Sequence, residues 1–157
     1  MKYIYFQFGN IFQNKAEILS FPDGDFEVVQ NKRGINADFL LSDLDHNPLY
    51  KAHFENARFM KRCLVVEKAS GERIGILIPT PRLGDKFMIS LEDGKEYLIN
   101  GWDRSLDITY KEEHVGTIKL EHMVGAKYSL TLNDNLDLPS FFLFSLGAII
   151  LRDNLLL

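Results

Sequence analysis

One cysteine, one tryptophan and five prolines are spread over 157 residues, and each scarcity removes an option. With Cys63 alone, no internal disulfide can form and nothing calls for an oxidising compartment. Positive charge is also short: 18 Lys and Arg against 22 Asp and Glu give a net charge of −4 and a pI near 5.5. Nucleic acid is therefore not an expected partner, because its binding depends on Lys and Arg neutralising phosphates. No Gly/Ser-rich linker or charge run marks a boundary, so 1–157 reads as one domain, long enough to bury about two-thirds of the surface its unfolded chain exposes. Met1 to Gly9 alternates polar and apolar residues where a secretory signal needs a continuous apolar stretch. No apolar run reaches the roughly twenty residues that span a bilayer, so no transmembrane segment is expected and the chain is read as cytoplasmic.

What is present is β patterning. From residue 2 to about 132, short runs of β-branched and aromatic residues alternate with turn chemistry every eight to twelve residues. Pro22-Asp23-Gly24, the Asp43 to Pro48 turn closed by Asn47-Pro48, Ser70-Gly71 and Asp93-Gly94 each predict a hairpin. The runs between turns predict strands near 2–8, 15–21, 25–30, 37–43, 48–55, 61–67, 72–78, 85–91, 95–100, 104–111, 114–120 and 127–132. Leu106, Ile108 and Tyr110 alternate with Ser105, Asp107, Thr109 and Lys111, which predicts one dry and one wet face. Ile78 to Gly84, with Pro79 and Pro81, reads as an irregular loop.

The last element differs in kind. Asp137 precedes Leu138-Pro139, a good helix start because proline is tolerated in the first turn, where its missing N–H has no intrahelical partner. From Phe141 to Leu151 almost every residue is apolar, so the predicted helix 138–151 is hydrophobic all round and must be buried. At about 1.5 Å per residue it is roughly 21 Å long, short of the roughly 30 Å of bilayer hydrocarbon, which favours a protein core. A closed sheet around the helix would supply apolar walls on every side.

This order of elements, about twelve antiparallel strands followed by one all-round apolar C-terminal helix, resembles the tubby C-terminal-like superfamily, which includes the LURP-one-related proteins and the phospholipid scramblases. The run Phe39-Leu40-Leu41-Ser42-Asp43-Leu44-Asp45-His46-Asn47-Pro48-Leu49-Tyr50 is similar to that family's hairpins of apolar run, acidic turn and second apolar run. The resemblance implies a mainly β fold, a closed antiparallel barrel of about twelve strands around a central hydrophobic helix. No cysteine-rich or proline-rich extension such as scramblases carry is present, so scrambling is not implied.

Chemistry-bearing residues are sparse. Asp43, Asp45 and Asn47 have the opening spacing of a calcium loop, but Pro48 and Phe54 stand where that loop needs glycine and glutamate, which predicts a structural turn. Cys63 lies in the apolar run Cys63-Leu64-Val65-Val66 and reads as a small buried hydrophobe. His46, His53, His114 and His122 form no tight ligand pair, and no phosphate loop or acid/base dyad is recognisable. No catalytic residue, metal or cofactor is expected. One feature is basic: Arg58, Lys61 and Arg62 lie within five positions, and Arg82 and Lys86 flank the proline-rich loop. In tubby proteins a basic surface binds phosphoinositide headgroups, so the resemblance makes these five residues candidates for an anionic phospholipid headgroup. The alternative is a solvated strand edge, where Lys and Arg discourage unwanted pairing. The expected function is thus a non-enzymatic binding module for anionic phospholipid or a protein partner, peripheral to the membrane in the first case. Two rivals remain: an apolar-ligand carrier barrel, which needs a vacant interior, and an enzyme whose site only tertiary structure would assemble.

Overall fold

A computed structural model describes residues 1–8, 15–20, 26–31, 38–56, 62–80, 85–102, 104–123 and 127–155. Within them run twelve strands and one helix: β1 (Lys2–Phe8), β2 (Lys15–Ser20), β3 (Phe26–Asn31), β4 (Asp38–Asp43), β5 (Pro48–Asn56), β6 (Arg62–Lys68), β7 (Arg73–Pro79), β8 (Asp85–Leu91), β9 (Glu96–Trp102), β10 (Ser105–Tyr110), β11 (Glu113–His122), β12 (Lys127–Leu132) and α1 (Leu138–Leu155). Every strand falls within about two residues of its expected place. The irregular loop begins later than expected, since Ile78 and Pro79 belong to β7 and Pro79 is buried.

Each strand is antiparallel to its neighbours, and the order runs β1-β12-β11-β10-β9-β8-β7-β6-β5-β4-β3-β2. The expectation of a barrel closed all round by hydrogen-bonded ladders needs correcting at one place. Strands β2 and β3 meet only at Lys15↔Val29 and Ala16↔Val28, whereas β3 and β4, for example, pair from Phe26↔Asp43 to Asn31↔Asp38. The reason lies in β2: its register on β1 jumps from Tyr5↔Ser20 to Phe6↔Ile18. Such a bulge bends the strand and leaves a residue unpaired. The wall is therefore a rolled antiparallel sheet stitched at a two-residue seam, not a barrel closed by a full ladder.

The rolled sheet surrounds α1. Phe142, Leu143, Phe144, Leu146 and Ala148 are wholly buried, and burial continues to Leu151 and Arg152. Phe142 meets Phe6 edge-on, with centroids 4.8 Å apart, and Phe26 at 5.6 Å, so β1 and β3 both press on it. Gly147 brings the helix against β6 and β7: a Cβ built there would lie 2.5 Å from Leu64 Cδ2 and 3.1 Å from Leu77 Cδ2. Asp137 caps the helix. Its Oδ2 accepts from Ser140 N at 3.2 Å and its carbonyl from Phe141 N at 3.1 Å, satisfying donors that a helix start leaves unpaired. The helix extends four residues past the expected Leu151, because beyond the apolar run it needs only backbone bonds. Arg152 in its last turn suits the negative end of the helix dipole. No described helix is long and apolar enough to cross a membrane.

Candidate functional site

Antiparallel order gives the rolled sheet two ends. At one, β1 starts, β12 finishes and α1 enters; at the other, β5 and β7 finish and β6 and β8 begin.

Of the five basic candidates, Arg62 and Lys86 are described; Arg58, Lys61 and Arg82 lie outside the described residues. Arg62 and Lys86 stand at the far end from the helix entry with β7 between them, two strand spacings of roughly 4.8 Å apart. They do not share a face. Arg62 has the parity of Leu64 and Val66, whose side chains belong to the core, while Lys86 alternates with the core residues Phe87 and Ile89. Arg62 accordingly points toward the mouth, where its Nη1 donates to Oδ1 of its cross-strand neighbour Asn56 at 3.1 Å, and Lys86 points outward.

The acidic hairpin is a turn. Asp43 Oδ1 accepts from the backbone of Asp45 at 3.0 Å and of Asn47 at 2.8 Å, and Oδ2 accepts from Asn47 Nδ2 at 3.2 Å. Those hydrogen bonds hold the Asp43 carboxyl below its usual range and let His46 adopt φ 64°. Cys63 is buried on the face opposite Leu64, and burial pushes its thiol up, the reverse of what a nucleophile needs. One constellation escaped the sequence reading. His114 Nε2 lies 2.7 Å from Thr117 Oγ1 and 3.4 Å from Asp107 Oδ1, across the β10–β11 pair. The same ring nitrogen faces both partners on an exposed surface, so no relay from carboxylate through imidazole to hydroxyl exists.

The site with most structure lies at the helix entry. A cleft of about 240 Å³ opens there between the starts of β5, β7 and β9 and the cap of α1. Its floor is apolar, from Ile74, Leu91 and Phe141, and its polar groups are Tyr50, Asp93, Lys95, Tyr97 and Asp137 with Asn135 and Ser140. Tyr97 stacks edge-on against Phe141 at 5.1 Å and lies 5.0 Å from the Tyr110 ring. Burial, with Tyr110 and Asp93 beside it, raises the Tyr97 hydroxyl above its ordinary value. Tyr50 donates to the Asp137 carboxylate, and burial together with that carboxylate pushes its phenol up to about 12.

The sign of that shift makes a prediction. A folded-state value above the unfolded value of about 10 contributes stability that is whole below pH 10 and is lost as pH rises through 12. Ultraviolet titration is therefore expected to find one tyrosine ionising near 12, and Asp137→Asn, which keeps a capping side chain but removes the charge, is expected to bring it down toward 10. An unchanged titration in that variant would show that Asp137 does not hold Tyr50.

No family model matches this chain, and no curated protein does. Among solved structures, an X-ray structure of a protein from Arabidopsis thaliana is similar over 97% of this chain and 91% of that chain, at 17% identity and a TM-score of 0.42.

Proposed function

We propose that this chain is a non-enzymatic, tubby-like binding module that docks on anionic phospholipid headgroups through the end of the rolled sheet opposite the helix entry. One observation carries the reading: the antiparallel order makes the strands flanking residues 32–37, 57–61, 80–84 and 103–104 all finish or begin at that end. In sequence, the segments between those strand ends contain Lys32, Arg33, Arg58, Lys61, Arg82 and Arg104 against Asp103, in a protein whose net charge is −4. Lys86 on the outer face adds to this set. Arg62 supports the rim through Asn56 instead. The carrier reading loses its premise, since α1 fills the space a ligand would need.

Each Lys or Arg near an anionic surface is worth about 1 kcal/mol, so changing Arg58, Lys61 and Arg82 to Ala is expected to weaken binding on the order of 100-fold. The measurement is cosedimentation with phosphatidylserine-containing and pure phosphatidylcholine vesicles at two salt concentrations. Binding should require the anionic lipid and fall as salt shortens the Debye length from about 10 Å at 0.1 M toward 3 Å at 1 M. Equal binding to neutral vesicles, or no loss in the triple variant, would overturn the proposal in favour of a protein partner.

A further inference from the structure

The described connections at the opposite end are mostly acidic. The five described connections at the helix entry, 44–47, 69–72, 92–95, 111–112 and 133–137, hold Asp45, Glu72, Glu92, Asp93, Glu112, Asp134 and Asp137 against Lys95 and Lys111, with Glu72 paired to Lys68 at 3.2 Å and Asp134 to the Met1 ammonium at 2.8 Å. The cleft between β5, β7, β9 and the helix cap opens into this acidic rim.

Three features of the cleft select its ligand. The first is an unused polar group. Tyr97 is 5% exposed, its ring is held by Phe141 and Tyr110, and among the described residues its hydroxyl has no hydrogen-bond partner although it borders the cleft. Its ring is buried while its oxygen opens to the cleft, so the hydroxyl can hydrogen-bond a ligand atom seated there. The second is the sign of the surrounding groups. A helix start ordinarily attracts anions, but here the Asp137 carboxylate already takes Ser140 N, and Pro139 has no N–H to offer. What remains facing the cleft is a set of acceptors: the carboxylates of Asp93 and Asp137 and the phenol oxygens of Tyr50 and Tyr97, with Lys95 as the basic side chain on the lining. The third is size. At about 240 Å³ the cleft is below the range of roughly 300–1,000 Å³ in which drug-sized ligands and cofactors sit, so it suits one side chain or a small molecule.

We propose that this cleft is a binding site for a primary ammonium group, carried by a lysine side chain of a partner or by a small amine. The ammonium donates to Tyr97 and to the Asp93 and Asp137 carboxylates. Its alkyl stem lies on Ile74, Leu91 and Phe141, and the tyrosine rings add cation–π attraction. The site is at the other end of the molecule from the lipid-facing rim, and either can fail without the other.

The test is NMR titration of the full chain with three probes: Nα-acetyl-lysine methylamide, its Nε-acetylated form and n-butylamine. The lysine derivative is expected to shift the amides of Tyr97, Asp93 and Ser140, and the Nε-acetylated form, which lacks the charge, is not. Shifts with butylamine as well identify a small amine as sufficient, and shifts with the lysine derivative alone identify a peptide source. Asp93→Asn combined with Asp137→Asn preserves the turn and the cap while removing both charges, and is expected to weaken binding at least tenfold. Tyr97→Phe is expected to weaken it severalfold with an unchanged melt, and Lys95→Ala, which removes a competing cation, to tighten it. Equal shifts from the charged and Nε-acetylated probes, no shifts from any probe, or full binding in the double Asn variant with a native spectrum would each overturn the proposal.

Discussion

Phe142→Asp is expected to leave the chain unfolded or insoluble, and removal of everything after Asp134 is expected to do the same. Phe142 is wholly buried, edge-on to Phe6 and against Phe26, at the point where β1, β3 and α1 converge. Losing a core phenylalanine costs about 3–5 kcal/mol, and an unpaired buried carboxylate adds several more or must take up a proton. Together these reach the whole net stability of an ordinary domain, about 5–15 kcal/mol. The truncation acts by the same logic: without α1 the inward residues of the wall, Leu64, Leu77, Phe87, Ile89 and Leu130 among them, would line a void. Circular dichroism and a thermal melt decide the matter. A soluble truncated protein with the same β spectrum and a cooperative melt would show that the strands hold themselves together and that the helix is not their core.

The second large effect is expected at Gly147. In an exposed helix, Ala in place of Gly stabilises by about 1 kcal/mol. Here the added Cβ would fall 2.5 Å from Leu64 Cδ2 and 3.2 Å from Leu64 Cβ, with Leu77 Cδ2 at 3.1 Å, and both leucines are fully buried. Overpacking a tight core costs about 1–3 kcal/mol, so Gly147→Ala is expected to be neutral to destabilising by about 2 kcal/mol, the propensity gain being consumed. Gly147→Leu adds three further carbons at the same spot and is expected to prevent native packing. A rise in melting temperature for Gly147→Ala would mean that the helix does not press on β6 and β7.

The basic candidates show how far a linear reading carries. Arg58, Lys61 and Arg62 look like one cluster in sequence, and Arg82 with Lys86 like another. Strand order brings the ends flanking both sets to one end of the sheet. Yet side-chain alternation turns Arg62 toward Asn56 at the mouth and Lys86 outward, so proximity along the chain and a shared surface are different things here. His114 and Thr117 lie on β11 and Asp107 on β10, and the β10–β11 register alone brings Asp107 to them.

By itself the sequence determined the places of the strands, the turns between them and the start of the helix, because alternation, Asp-Gly and Asn-Pro chemistry and the Asp137 cap act between residues a few positions apart. It also determined that α1 must be buried, since no face of it is polar. Tertiary structure alone decided the thin β2–β3 seam, which follows from a register jump on β1, and the meeting of Tyr50, Asp93, Tyr97 and Asp137 around one cleft. Those outcomes depend on how a twelve-strand sheet rolls around one helix. The residues concerned come from strands and turns far apart in the chain, and nothing in their local patterning says which of them will share an end or a face.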